Sequence, residues 1–110
     1  MELQIKGRNL EVSESMRAYA ERKLAKIGKQ CHESTRVELE LASEKNPSVA
    51  AHEVAEATVR LKGRTLRARE ASRDMKSAID AVTEKLQREL SELRDKRIAK
   101  RRSPADPLES

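Results

Sequence analysis

The chain has 110 residues, of which 39% are charged and 36% hydrophobic, and its single aromatic side chain is Tyr19. This length allows one domain, and a modest aliphatic core suits a small two-layer domain better than an enzyme with a deep apolar pocket. Mean hydropathy is −0.84, and no apolar run approaches the roughly 20 residues of a membrane helix. The N-terminus does not resemble a signal peptide, and the lone Cys31 cannot form an internal disulfide, so we expect a cytosolic protein.

The positive charge is concentrated in the second half of the chain. Residues 60–76 and 85–102 each carry a net charge of +5, whereas residues 1–59 carry −1. Segregated basic blocks favour a polyanionic partner. An ordinary solvated surface would explain the charge about equally well, so charge alone leaves both interpretations open.

The first quarter of the chain predicts a strand followed by a helix. Leu3-Gln4-Ile5 alternates, which predicts a short strand that stops at Gly7. Ser13 is the expected N-cap of the helix, and Gly28 marks its expected end. Between them, apolar residues recur at spacings of four and three, as on one face of a helix: Met16, Ala20, Leu24 and Ile27.

Three strands are expected next. Residues 36–41 alternate strictly, which places Val37, Leu39 and Leu41 on an inward face. Residues 43–52 contain Asn46-Pro47 and are typical of a loop. A third strand is expected over residues 54–62, and a tight turn at Gly63 should lead into a fourth strand through Leu66 and Ala68.

The last element is predicted to be a long amphipathic helix capped by Asp74. Its apolar residues recur at spacings of three and four: Met75, Ile79, Val82, Leu86, Leu90 and Leu93. A helix from 74 to about 98 would be roughly 37 Å long, and its last turns would extend beyond the core as a basic arm. Because Ser103-Pro104 ends the helical pattern, we expect a domain over residues 1–100 and a flexible C-terminal tail or truncated linker over residues 101–110.

Together these elements predict an α+β fold, a two-layer β-α-β-β-β-α sandwich. A four-stranded mixed sheet should carry both helices on one face, because the strands alternate on a single face. The first two strands should be parallel and the last three antiparallel. We expect the bare face to carry Arg60, Lys62, Arg67 and Arg69, and the carboxylates of Glu38, Glu40 and Glu56 to form cross-strand ion pairs rather than an acid–base site.

Several segments carry a family resemblance: residues 3–12, 16–19, 22–27, 63–70, 74–80 and 85–90. Over about residues 2–98 the chain resembles the ribosome hibernation promoting factor family, also called ribosome-associated inhibitor A or sigma-54 modulation proteins. The resemblance implies the same fold in a protein that is not an enzyme and needs no cofactor. It implies binding to the small ribosomal subunit and its rRNA in the decoding channel, in competition with mRNA and with A- and P-site tRNA. Translation would thereby be inhibited in stationary phase or under stress.

The resemblance also implies that basic residues of the two helices contact rRNA phosphates. The positions that match are Lys23, Lys26, Lys85 and Arg88, continued by Arg94 and Lys96. Such binding should be salt-sensitive and largely independent of base sequence, and the scarcity of aromatic residues argues against recognition by base stacking.

Four positions depart from the family pattern, and they bear on the RNA contacts more than on the fold. Cys31 and Lys76 stand where the family usually has aromatic residues, and Glu89 and Glu92 replace residues that are more often polar or basic. Lys76 could restore some of the positive charge that the two glutamates remove.

Other interpretations stay open at this point. The stripe from Met75 to Leu93 could be a dimerisation seam, although the sheet needs a cover, and a generic double-stranded RNA-binding domain could share this shape. Away from the ribosome we expect a monomer, unless a C-terminal domain is missing, and no membrane partner. Cys31, His32 and His52 fit no usual zinc spacing, so no metal site is expected.

Overall fold

The structure is a computed structural model that describes residues 1–29, 35–44, 52–61 and 63–102, with side chains described through Leu93. Its elements follow one another in the predicted order: β1 (Glu2–Arg8), α1 (Glu14–Gly28), β2 (Arg36–Ser43), β3 (Glu53–Leu61), β4 (Arg64–Ser72) and α2 (Met75–Arg102).

The four strands form one mixed sheet in the order β1-β2-β3-β4. β1 runs parallel to β2, while the β2–β3 and β3–β4 pairs are antiparallel. Parallel neighbours need a crossover connection, and α1 supplies it. The α+β, two-layer β-α-β-β-β-α fold predicted from periodicity is confirmed.

Strict alternation gives the sheet one buried and one exposed face. On β2, Val37, Leu39 and Leu41 are fully buried, and the register places Leu39 opposite Ala57 of β3. Ala57 lies in turn opposite Ala68 of β4, which is also buried. Small residues at the centre of the sheet let the helices approach closely, so an almost purely aliphatic core suffices.

The apolar stripes of the two helices complete this core. Leu24 and Ile27 of α1 and Ile79, Val82 and Leu86 of α2 have no exposed surface. Burying a side chain of this size contributes about 1.5–3 kcal/mol. The stripe of α2 is therefore core from Met75 through Leu90 and is not available as a dimerisation seam over that length.

Both predicted N-caps are confirmed. The Ser13 hydroxyl accepts the Met16 backbone N–H at 3.2 Å, and the Asp74 carboxylate accepts the Ser77 backbone N–H at 2.9 Å. α1 ends at Gly28, as predicted, but α2 continues to Arg102 rather than to about residue 98. Basic side chains near a helix C-terminus are favourable with the helix dipole, which fits this longer helix.

The prediction that β1 stops at Gly7 is wrong, because the strand continues to Arg8 with Gly7 paired to Leu41. The glycine serves the turn that follows. Asn9 adopts a φ of 55°, and a Cβ atom added at Gly7 would collide with the carbonyl oxygen of Leu10. At the β3–β4 turn, Gly63 has the positive φ that was predicted, at 76°; Lys62 lies outside the described residues.

The long connection between β2 and β3 is closed at its base, where the Glu44 backbone N–H donates to the His52 carbonyl at 2.7 Å. Cys31 and His32 lie outside the described residues. Across the described ranges, no three His, Cys, Asp or Glu side chains are grouped closely enough to hold a metal ion. In the same part of the chain, no helix is both long and apolar enough to cross a membrane.

Candidate nucleic-acid interface

The bare face of the sheet carries compensated charge. Glu40 is 3.6 Å from the Lys6 ammonium and 3.4 Å from the Arg8 guanidinium, and Glu38 is 3.5 Å from Arg60. Arg36 pairs with Glu2 at 3.5 Å. The predicted cross-strand ion pairs are thus confirmed for Glu38 and Glu40. Arg67 has no such pair within the described part of the chain.

The opposite layer has a groove between α1 and α2, with Tyr19 at one end. The Tyr19 hydroxyl donates a 2.6 Å hydrogen bond to the Asp80 carboxylate, which also lies 3.3 Å from the Lys23 ammonium. This hydrogen bond to the carboxylate raises the pKa of Tyr19, so the phenol stays protonated and remains a donor.

Three basic groups approach the ring of Tyr19. Arg22, Lys23 and Lys76 lie 5.6, 5.6 and 5.5 Å from its centroid, which are cation–π distances. Lys23 comes from α1, and Lys76 comes from the first turn of α2. Lys76 thus brings positive charge from α2 to the one aromatic ring of the chain.

Lys26 continues the groove one turn further along α1. The groove has a cavity of about 110 Å³, lined by Lys23, Lys26, Asp80, Thr83, Glu84 and Gln87. The buried Thr83 hydroxyl at the floor of the groove already has a hydrogen-bond partner, since it donates to the Ile79 carbonyl at 2.7 Å. The groove is polar and shallow, and it offers no enclosed apolar space for a small molecule.

Lys85 lies on the other flank of α2. It reaches toward β4, where its ammonium is 4.0 Å from the Glu70 carboxylate. Thr83 lines the groove on the α1 side, and residues two apart on a helix point about 200° apart. Arg88 is exposed and points about 60° from Lys85 and about 40° from Glu84, which lines the groove. The structure therefore places Lys23 and Lys26 beside the groove, Lys85 on the far flank, and Arg88 on the exposed side of α2 between them.

Arg94 and Lys96 belong to α2, but their side chains lie outside the described part of the chain. The sequence-based set also omitted two cations of the helix layer, Arg22 and Lys76. Their spacing held the signal: Arg22 follows Tyr19 by three residues, and Lys76 precedes Asp80 by four, so each shares a helix face with its neighbour.

A family model described as "Sigma 54 modulation protein / S30EA ribosomal protein" matches residues 3–98. The chain is 42% identical over 90 residues to "Ribosome hibernation promotion factor" of Lactococcus lactis, covering 78% of this chain and 45% of that protein. It is 34% identical over 102 residues to the protein of that name from Picosynechococcus, covering 92% and 53%. The chain thus spans about half the length of these two relatives. "Ribosome hibernation promoting factor" of Escherichia coli is 31% identical over 96 residues, covering 87% of this chain and 96% of that protein.

Two solved structures share the fold. The N-terminal domain of Thermus thermophilus Protein Y superposes with a TM-score of 0.70 at 26% identity, covering 84% of this chain and 99% of that one. A ribosomal subunit interface protein from Coxiella burnetii superposes with a TM-score of 0.72 at 23% identity, covering 86% and 99%.

Proposed function

Since the chain belongs to the sigma 54 modulation protein / S30EA ribosomal protein family, we propose that it is a ribosome hibernation factor that binds the small ribosomal subunit. It occupies the decoding channel, where mRNA and the A- and P-site tRNAs lie, and inhibits translation under stress or in stationary phase. The proposal contains no catalytic step, needs no cofactor, and places the protein's action in the cytoplasm, where ribosomes work.

The asymmetry of charge between the two layers carries this proposal. On the sheet face, Arg67 has no carboxylate partner among the described residues, but four other cations each lie near one: Lys6, Arg8, Arg36 and Arg60. On the helix layer, no described carboxylate lies within ion-pair distance of four cations: Arg22, Lys26, Lys76 and Arg88. A rigid surface of uncompensated cations is what contact with RNA phosphates requires.

The residues proposed to contact rRNA are Lys23, Lys26, Lys85 and Arg88, with Arg94 and Lys96 extending the contact along α2. Lys23 and Lys26 lie beside the groove and Lys85 lies on the far flank of α2, so the proposal requires RNA to reach across the helix layer. Helices hold charges at fixed spacing, which suits a folded RNA whose phosphates are also fixed. We propose residues 1–100 as the binding domain and residues 101–110 as a tail or linker. α2 runs two residues past this boundary to Arg102, and residues 103–110 lie outside the described residues.

Co-sedimentation with purified small subunits across a salt series tests this function. The first variant replaces Lys23, Lys26, Lys85 and Arg88 by Ala, because Glu at position 23 would face Asp80. The matched control replaces four sheet-face cations by Ala: Lys6, Arg36, Arg60 and Arg67. Circular dichroism checks that both variants fold.

We expect wild-type binding that weakens steeply with salt, is lost in the helix-layer variant, is retained in the sheet-face control, and is displaced by mRNA with tRNA. Loss of small-subunit binding in the sheet-face control alone would indicate that the interface lies on the sheet face. No binding by the wild type would remove the proposed function. Equal affinity for free RNA duplexes and for small subunits would favour the generic double-stranded RNA-binding alternative.

A further inference from the structure

The three cations around Tyr19 form the densest cluster of positive charge in the described part of the chain that is organised about one side chain. Arg22, Lys23 and Lys76 all lie within 5.6 Å of the ring centroid. The hydrogen-bonded carboxylate of Asp80 is already paired with Lys23 at 3.3 Å. Among the described residues, no carboxylate lies within ion-pair distance of Arg22 or Lys76. The two cations come from different helices and bring like charge to one ring.

We propose that the cluster of Tyr19, Arg22, Lys23 and Lys76 is a binding site for a single backbone phosphate of RNA, an inference that rests on the proposed function. Asp80 positions the site, since it fixes the Tyr19 ring and Lys23 while Arg22 and Lys76 contact the phosphate. Both cations lie within 5.6 Å of the same ring centroid, so a phosphate at this end of the groove meets positive charge from two helices and gains charge-assisted hydrogen bonds.

The geometry selects a phosphate over a base. The ring of Tyr19 is surrounded by basic groups, so it supports cations instead of offering a bare face for a base to stack on. The guanidinium of Arg22 can form two parallel hydrogen bonds to phosphate oxygens, and the ammonium of Lys76 supplies a point charge. Neither group reads base identity, so this contact adds affinity without sequence preference.

The variant Arg22→Ala/Lys76→Ala tests the site. Both side chains are exposed, and Ala has a high helix propensity. Removing a cation from the first turn of α2 is also favourable with the helix dipole. We therefore expect the variant to fold. The matched control, Arg60→Ala/Arg67→Ala, removes the same charge from the sheet face. Affinity for small subunits is measured for both across a salt series.

We expect the Arg22→Ala/Lys76→Ala variant to bind about three- to tenfold more weakly at low salt, with a salt slope smaller by about one. The control should keep the wild-type slope. Affinity and slope equal to those of the wild type would overturn the inference, as would equal losses in the two variants, since the effect would then be one of net charge.

A second measurement separates this inference from the proposed function. Tyr19 is the single aromatic residue of the chain, so tyrosine fluorescence reports directly on the site. Tripolyphosphate, a transparent polyanion, is titrated at constant ionic strength. If the wild type fails to bind small subunits, the function fails, yet a saturable fluorescence change that Arg22→Ala/Lys76→Ala abolishes would still support the anion site. The same change in wild type and variant, or none in either, would overturn it.

Discussion

The hydroxyl of Tyr19 on α1 donates a 2.6 Å hydrogen bond to the carboxylate of Asp80 on α2, 61 residues later in the chain. The bond is a polar link between the two helices, beside the ion pair of Lys23 with the same carboxylate. Because Asp80 also holds Lys23, the link joins packing of the helices to the placement of charge in the groove.

Replacing Tyr19 by Phe should remove the hydrogen bond between the helices without changing how Asp80 holds Lys23. The ring and its cation contacts remain, but the hydrogen bond is lost, so we expect the Tm to fall by a few degrees while Lys23 keeps its partner. Thermal denaturation followed by circular dichroism measures the change. Glu21→Ala, at an exposed position of α1, serves as a control. An unchanged Tm in Tyr19→Phe would show that solvent replaces the bond without loss.

The sequence predicted those features that depend on local periodicity and missed those that depend on packing. Alternation at residues 36–41 and the three–four spacing of the α2 stripe determined the sheet face and the helix face correctly. The same spacing showed that Lys85 points away from the stripe, but it could not show which flank of α2 faces α1. That depends on where α1 lies, which is why Lys85 and Lys23 were expected together and lie apart. Gly7 was misjudged for a similar reason, since its role is set by the carbonyl of Leu10 across the turn.

The Asp74 cap should make the stability of α2 depend on pH in the acid range. The backbone N–H of Ser77, and then its hydroxyl, donate to the carboxylate and hold the pKa of Asp74 below its ordinary value of 3.8. A group with a lowered folded-state pKa stabilises the fold above the unfolded value, and this contribution is lost as pH falls through the folded value.

Asp74→Ala should therefore be less stable than the wild type at pH 6, and the difference should shrink steadily below pH 3.8. Urea denaturation at a series of pH values measures it. Asp74→Asn is the control, because an Asn side chain can still accept the cap hydrogen bond but does not titrate. A difference between wild type and Asp74→Ala that is independent of pH would contradict this account.

Leu86 tests whether the apolar stripe of α2 is core or interface. Its side chain is fully buried, so Leu86→Ala should lower the free energy of unfolding by about 2–5 kcal/mol. The measurement is urea denaturation of wild type and variant at two protein concentrations tenfold apart. Midpoints independent of concentration are expected for a core residue of a monomer. A wild-type midpoint that rises with concentration would contradict a monomer and show that self-association contributes to stability.

Glu70 is paired with Lys85, one of the proposed RNA contacts, and should limit the availability of its ammonium. The two charged groups are 4.0 Å apart, and their side chains are 34% and 39% exposed. Glu70→Gln releases Lys85 and removes a negative charge from the α2 flank, so affinity for small subunits should rise by about two- to fivefold, the range for an exposed ion pair. Glu38→Gln, which frees Arg60 on the sheet face with the same change in net charge, should leave affinity unchanged. In a Lys85→Ala background the gain in affinity from Glu70→Gln should largely disappear, because the ammonium that Glu70→Gln would release is gone. If the gain persisted there, Glu70 would act through its charge alone and Lys85 would not be an RNA contact.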